Sequence, residues 1–179
     1  MQKLSWVEFY IGLALAVSKK SKDTTKHGCI ITNKKNKILG LGFNGPPAGF
    51  PDDEMPTHRE MAPGLAPNKY DVNIHAEVNA EGNCSRKIKK GIAYVSGIAC
   101  GPCLIHLYQH GVRKVYMLDR TSNMLNARSK KVFDFVVEKS QKSKYGKLEV
   151  FVVRPNLSWL KDLGEEVDSL VYNSVMEIK

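Results

Sequence analysis

The chain has 179 residues, 42% of them hydrophobic and 25% charged, with a formal charge of +9. That length can bury one sizeable core, the composition is that of an ordinary water-soluble protein, and no apolar run is long enough to span a bilayer. The positive charge suits anionic partners (nucleotides, nucleic acid or acidic surfaces) without choosing among them.

Ser5 and Glu8 have the spacing of a capping box, and the helical period that follows predicts a helix to about Ser18. Glu8 inside this stretch, with no small-residue cleavage site after it, reads as a core helix rather than a secretion signal. A cytoplasmic protein is expected, in the host cytoplasm if the source is viral. Gly28 to Thr32 and Lys37 to Phe43 are short and apolar, and Asn33-Lys34-Lys35-Asn36 between them suits a hairpin. Asn44 to Asn73 is rich in Gly and Pro and reads as one long loop, a length usually kept for function. Downstream come a helix from His75 to Ser85, a strand from Ile92 to Val95, and a helix from Pro102 to His110 stopped by Gly111. The remainder predicts a strand from Val112 to Leu118, a helix from Asn126 to Lys139, a strand from Leu148 to Val153 and a helical tail from Trp159 to Met176. Five strands alternating with helices after a hairpin imply a three-layer α/β/α sandwich around one mixed sheet. With no repeat or linker in sight, residues 1–179 are expected to form a single domain. The lysine clusters at 19–26, 34–37 and 139–147 read as solvated surface, which argues against a nucleic-acid partner.

Two segments carry chemistry, His75-Ala76-Glu77 and Cys100-Gly101-Pro102-Cys103. A catalytic zinc takes three nitrogen or sulfur ligands and keeps one position open for water. His75, Cys100 and Cys103 supply three such ligands, and the start of one helix can aim both sulfurs at one point. Helix N-terminal N–H groups and the helix dipole favour thiolates there. Glu77, two residues past His75, can reach a zinc-bound water without ligating the metal. Zinc makes hydroxide available near neutral pH. A carboxylate so placed can take the water proton and pass it to a reacting group, as zinc deaminases do when hydroxide attacks C4 of cytosine, N3 is protonated and the amine departs. His-x-Glu followed by Pro-Cys-x-x-Cys is the known signature of zinc deaminases. Here Ala99 stands where the signature has proline, so altered loop geometry with retained metal is expected.

Each half alone has a blander reading. Cys-x-x-Cys occurs in thioredoxin-like redox proteins, but after an early strand of a different βαβ arrangement. A structural zinc site wants a fourth Cys or His. Cys84, nine residues beyond His75, is too far along a helix to share its metal. Cys29 lies in an apolar run and reads as a small buried residue.

With these motifs in place the chain resembles the deoxycytidylate deaminase family of the cytidine deaminase superfamily. Ser21-Lys22-Asp23 with Gly28-Cys29, Gly42 to Pro47 with Pro51-Asp52-Asp53, His75 to Ala80, and Cys100 to Cys103 carry the likeness. Beyond Ser122 nothing is diagnostic. Transfer-RNA adenosine deaminases share the zinc motifs but have a shorter connection before them. A deaminase of transfer RNA or single strands is therefore the alternative.

The resemblance implies hydrolysis of deoxycytidine monophosphate (dCMP) to deoxyuridine monophosphate (dUMP), which feeds thymidylate (dTMP) synthesis. It implies Glu77 as the catalytic acid–base and Asn44, Ala76, Asn79 and Arg86 as substrate-binding residues. Arg86 would sit at the end of the zinc helix as a phosphate partner, with Arg120 a weaker candidate. Asn79 and Asn83 share a helix face and suit pocket walls or a polar pair that fixes the loop. The resemblance also implies a homohexamer activated by dCTP and inhibited by dTTP, with Mg2+ on the triphosphate. Lys22, Asp23, Gly42, Phe43, Asn44 and Gly45 would line that regulatory site. Some relatives hold a second, structural zinc; here the loop offers only His58, so that site is not expected.

Overall fold

The computed structural model describes residues 3–51, 53–56, 68–120, 127–163 and 174–177. Helix α1 (Trp6–Ser18) opens on the expected capping box: Glu8 N–H donates to Ser5 Oγ and Ser5 N–H to the Glu8 carboxylate. The hairpin β1 (Gly28–Thr32) and β2 (Ile38–Phe43) follows, antiparallel in register Cys29 to Gly42. Next come α2 (Lys69–Val72), α3 (Ala76–Gly82), β3 (Gly91–Val95), α4 (Gly101–Gln109), β4 (Val112–Leu118), α5 (Ala127–Gln141) and β5 (Glu149–Arg154). A 3₁₀ turn (Ser158–Leu163) and β6 (Ser174–Glu177) end the described chain.

One mixed sheet runs β2-β1-β3-β4-β5-β6. β3, β4 and β5 are parallel; β1 on one side and β6 on the other pair antiparallel to them. All five expected strands form. The sixth replaces the end of the expected tail helix, and residues 164–173 of that tail lie outside the described residues. Apolar spacing alone allowed a helix over 159–176, but β5 would then keep an unpaired backbone edge, which sheets tend to cover.

Both faces of the sheet are covered, and alternation along the strands decides which side chain goes where. Ile30, Tyr94, Leu118 and Val153 face α1, which contributes Tyr10, Ile11 and Ala14. Tyr94, Tyr116 and Phe151, cross-strand partners, stack in a row with centroids 5.4 and 4.9 Å apart. The opposite face buries Cys29, Ile31, Ala93, Val95, Val115 and Met117 under the layer of α3, α4 and α5. Cys29 is fully buried, as expected.

Two other departures from the sequence reading affect the site. The long loop contains α2, capped by Asn68, whose side chain accepts from Tyr70 N–H while Asp71 accepts from Asn68 N–H. Its Asp52 and His58 lie outside the described residues. α3 stops at Gly82 rather than Ser85, because glycine is a poor helix former and Ser85 N–H turns to the Leu39 carbonyl. Arg86 therefore lies beyond the zinc helix, in a bend. α4 stops where expected: Gly111 has φ +102° and a side chain there would strike the Ile88 carbonyl.

Gly42 explains how closely α3 approaches the sheet. A Cβ at Gly42 would collide with the backbone of Ala76, Asn79 and Ala80. Asn79 and Asn83 clamp the same contact, donating to the Phe43 carbonyl at 2.8 Å and the Leu41 carbonyl at 3.0 Å. Gly42→Ala is expected to lower folding stability by about 1–3 kcal/mol, the cost of overpacking a close contact. Thermal denaturation measures it, and an unchanged Tm would contradict the packing role. Gly45→Ala, with open space around the Cβ, serves as the neutral control.

Candidate metal and active site

The N-termini of α3 and α4 meet at the carboxyl end of β3, a usual place for ligands in α/β sheets. His75 is the N-cap residue of α3 but makes no side-chain capping bond, so its ring is free to turn outward. Cys100 caps α4, with Cys103 N–H 3.4 Å from its sulfur, and Pro102 occupies the first turn where a missing N–H costs nothing. His75 Nδ1 lies 3.2 Å from Cys103 Sγ and 3.6 Å from Cys100 Sγ. One ligand atom from each of the three residues falls within 4.8 Å of the others.

This donor set fits a zinc ion with one position left open. A hydrogen bond from the Cys103 thiol, with help from His75 and the helix N–H, holds the Cys100 thiol down at about 4. Cys103 is pushed up, because it is the member of the pair that keeps the proton. The hydrogen bond to Cys100 raises His75. Cys84 stays outside the cluster: its thiol donates to the Ala80 carbonyl and is pushed up to about 11 by burial.

Glu77 is 4% exposed and lines the same cavity, which has a volume of about 270 Å³. Burial pushes its carboxyl up. Ala99 is buried and gives its N–H to the Met117 thioether at 3.3 Å, a bond that proline could not make. The departure from the signature thus has a local partner, and both sulfurs remain beside His75.

The cavity wall brings some of the expected residues together and leaves others out. Asn44 and Ala76 line it. Asn44 accepts from His27 N–H at 2.7 Å and donates to the Thr25 carbonyl at 2.9 Å, so its amide is held in a fixed orientation. Gly45 and Ile74 exchange backbone hydrogen bonds and tie the loop to the start of α3. Asn79 and Gly42 serve the α3–β2 contact, and Phe43 presents its carbonyl to Asn79. Arg86 lines a separate cavity that shares no lining residue with this one. Arg120 donates to the Lys26 carbonyl, next to the cavity residue His27.

Lys69, Asn73, Tyr70 and His27 also line the cavity. The Asn68-x-x-Asp71 spacing is the signal that marks α2 and with it Lys69, Tyr70 and Asn73, whereas no spacing singles out His27. Lys69 is 3% exposed and pairs with Asp23 at 2.5 Å, and Asn73 donates to the other Asp23 oxygen at 2.8 Å. Lys22 is exposed and, with Asp23, Pro46, Lys69 and Asn73, borders an adjoining recess of about 40 Å³.

Burial raises the Asp23 carboxyl, but Lys69, Thr25 N–H and Asn73 together hold it below its ordinary value of 3.8. A lowered folded-state pKa gives stability that is present above 3.8 and is lost as pH falls through the folded value. Wild type is therefore expected to exceed Asp23→Asn in Tm at neutral pH, with the gap closing below about pH 4. A gap that stays constant from pH 7 to pH 3 would contradict this.

The comparisons agree with the geometry. Residues 4–119 match the family "Cytidine and deoxycytidylate deaminase zinc-binding region". The deoxycytidylate deaminase of Homo sapiens is 36% identical over 120 residues, covering 65% of this chain and 67% of that protein. The deoxycytidylate deaminase of Mycobacterium phage D29 is 29% identical, over 64% of this chain and 95% of its own. Among solved structures, the dCMP deaminase of cyanophage S-TIM5, in complex with dCMP and dUMP, superposes with a TM-score of 0.58 at 25% identity, covering 86% of this chain and all of that one. No helix among the described residues is long and apolar enough to cross a membrane. Signature, overall fold and matched span agree, and the chain belongs to the cytidine and deoxycytidylate deaminase family.

Proposed function

We propose that this protein hydrolyses dCMP to dUMP and ammonia, and so feeds dTMP synthesis. The observation that carries the reading is Glu77, a buried carboxylate beside three zinc-type ligands in a cavity of about 270 Å³. The likeness to the human and cyanophage deaminases supports dCMP as the substrate. Zinc held by His75, Cys100 and Cys103 supplies a Lewis acid that makes water acidic near neutral pH. Glu77 takes the proton of the water that adds to C4, delivers it to ring N3, and then carries a proton to the amine that leaves as ammonia. Asn44, held by His27 and Thr25, offers its remaining amide N–H and lone pair to the deoxyribose, and the Ala76 backbone borders the ring.

For the phosphate, Arg120 beside His27 is better situated than Arg86. Losing one charge-assisted contact costs about 1.5–3 kcal/mol, roughly 10–100-fold. Arg120→Ala is expected to raise KM for dCMP by that factor with kcat kept, and Arg86→Ala to leave both unchanged. Steady-state kinetics of the two variants decides it; the reverse pattern would return the phosphate to Arg86.

We extend the reading to residues 1–179 as one deaminase domain acting in the cytoplasm, and to a homohexamer activated by dCTP and inhibited by dTTP, with Mg2+ on the triphosphate. Lys22, Asp23 and the Gly42-Phe43-Asn44-Gly45 stretch would form the effector site. Support comes from the recess beside Lys22, which shares Asp23, Lys69 and Asn73 with the catalytic cavity. Anything felt there reaches the substrate pocket through one shared wall.

The test is a substrate panel read by ultraviolet absorbance: dCMP, cytidine, cytidine monophosphate and an RNA hairpin, each with and without dCTP and dTTP. Preference for dCMP is expected. Faster turnover of the hairpin, with steep salt dependence, would favour the polynucleotide alternative that the charge of +9 suggests.

A further inference from the structure

Past the catalytic cysteines, α4 carries two more metal-type side chains. His106 and His110 are four residues apart, so one helix face holds both, and their ring centroids lie 4.3 Å apart. Glu81, near the end of α3, reaches them from the neighbouring helix, with its Oε2 3.4 Å from His106 Nε2. The three residues offer ligand atoms that all fall within 4.8 Å of one another.

Two details set this cluster apart from an ordinary ion pair. His106 Nε2 is buried and makes no hydrogen bond, despite the nearby carboxylate. Buried polar atoms without partners are rare in folded proteins and call for an explanation. His110 Nδ1 lies 3.0 Å from the His106 carbonyl. Only an N–H can serve that oxygen, so the neutral ring carries its proton on Nδ1 and its lone pair on Nε2. A backbone carbonyl fixing the tautomer in this way is the usual support for a metal-ligating imidazole.

We propose that Glu81, His106 and His110 form a second divalent-metal site, separate from the His75, Cys100 and Cys103 centre. Two imidazoles and one carboxylate suit a transition ion such as Zn2+; Ca2+ and Mg2+ prefer oxygen ligands throughout. Glu81 and His110 also border a cavity of about 900 Å³, from which a further ligand could reach the ion. Arg86, Lys87, Lys89, Lys90 and Arg113 line that cavity too. Their charge opposes a dication, but all except Arg113 are exposed and screened by salt. They also favour an anion as the fourth ligand. The metal pins the far end of α3 to the far end of α4, the two helices whose near ends hold the deaminase centre. It is a staple, and it does not depend on which nucleotide is deaminated.

The test uses the whole protein. Wild type, His110→Ala and Glu81→Gln are dialysed against micromolar Zn2+ and assayed for zinc per chain. Wild type should hold one more zinc than either variant, while the variants keep the wild-type deaminase rate. Equal zinc content in all three overturns the proposal. Cadmium-113 NMR of wild type gives an answer even if a variant misfolds. A resonance in the nitrogen/oxygen range should accompany the one in the thiolate range. Absence of the nitrogen/oxygen resonance overturns the second site, and absence of the thiolate one counts against the catalytic centre instead.

Discussion

Glu77→Gln is expected to keep its catalytic zinc and to lose turnover by about 10²–10⁴-fold, the usual worth of a positioned proton carrier. Glutamine keeps the length of the side chain but cannot take a proton. Glu77 is 4% exposed and lines the cavity next to His75 and Cys100. Among the described residues the other carboxylate of the cavity wall, Asp23, is not free to take over its role, because it is held by Lys69, Asn73 and Thr25. Zinc content and kcat measured on the same preparation separate the two functions of the site. Turnover near the wild-type rate would remove Glu77 from the chemistry, and loss of the metal would make it a ligand.

Cys103→Ala should fail in the opposite way, losing both the catalytic zinc and activity. Its sulfur lies 3.2 Å from His75 Nδ1 in the first turn of α4, 3% exposed. Two ligands rarely hold zinc where three and a water are the norm. Because metal binds the folded chain and not the unfolded one, zinc should also raise the Tm of wild type far more than that of the variant. Cys84→Ser is the control, since Cys84 bonds to the Ala80 carbonyl away from the centre. Chelation followed by zinc should restore wild type and leave Cys103→Ala inactive. A variant that regained activity with zinc would show that Cys103 is dispensable.

The metal centre was legible in the sequence because local chemistry writes it. The Cys-Gly-Pro-Cys spacing fits a helix start whatever the surroundings, and His75-Ala76-Glu77 opens a helix in the same way. Strands buried on both faces, such as β1, announce themselves by unbroken apolar runs. What could not be read depends on contacts distant in sequence. Gly42 reads as one more strand residue and a candidate for the regulatory site until α3 is seen lying on it. Asn79 looks like a pocket wall, and its amide is spent on the Phe43 carbonyl, 36 residues away. Lys69 looks like one more surface lysine, yet it is buried against Asp23, 46 residues upstream. The tail misled for a related reason: β6 exists because β5 offers an edge, and no spacing within 159–176 records that.

The most direct measurement is an anomalous difference map at the zinc absorption edge, from crystals of the purified wild-type protein grown with dUMP. A peak is predicted where the His75 ring nitrogen and the sulfurs of Cys100 and Cys103 converge, with the Glu77 carboxylate facing the pyrimidine and not bonded to the metal. No peak at that point, or a peak ligated by Glu77, would contradict the account.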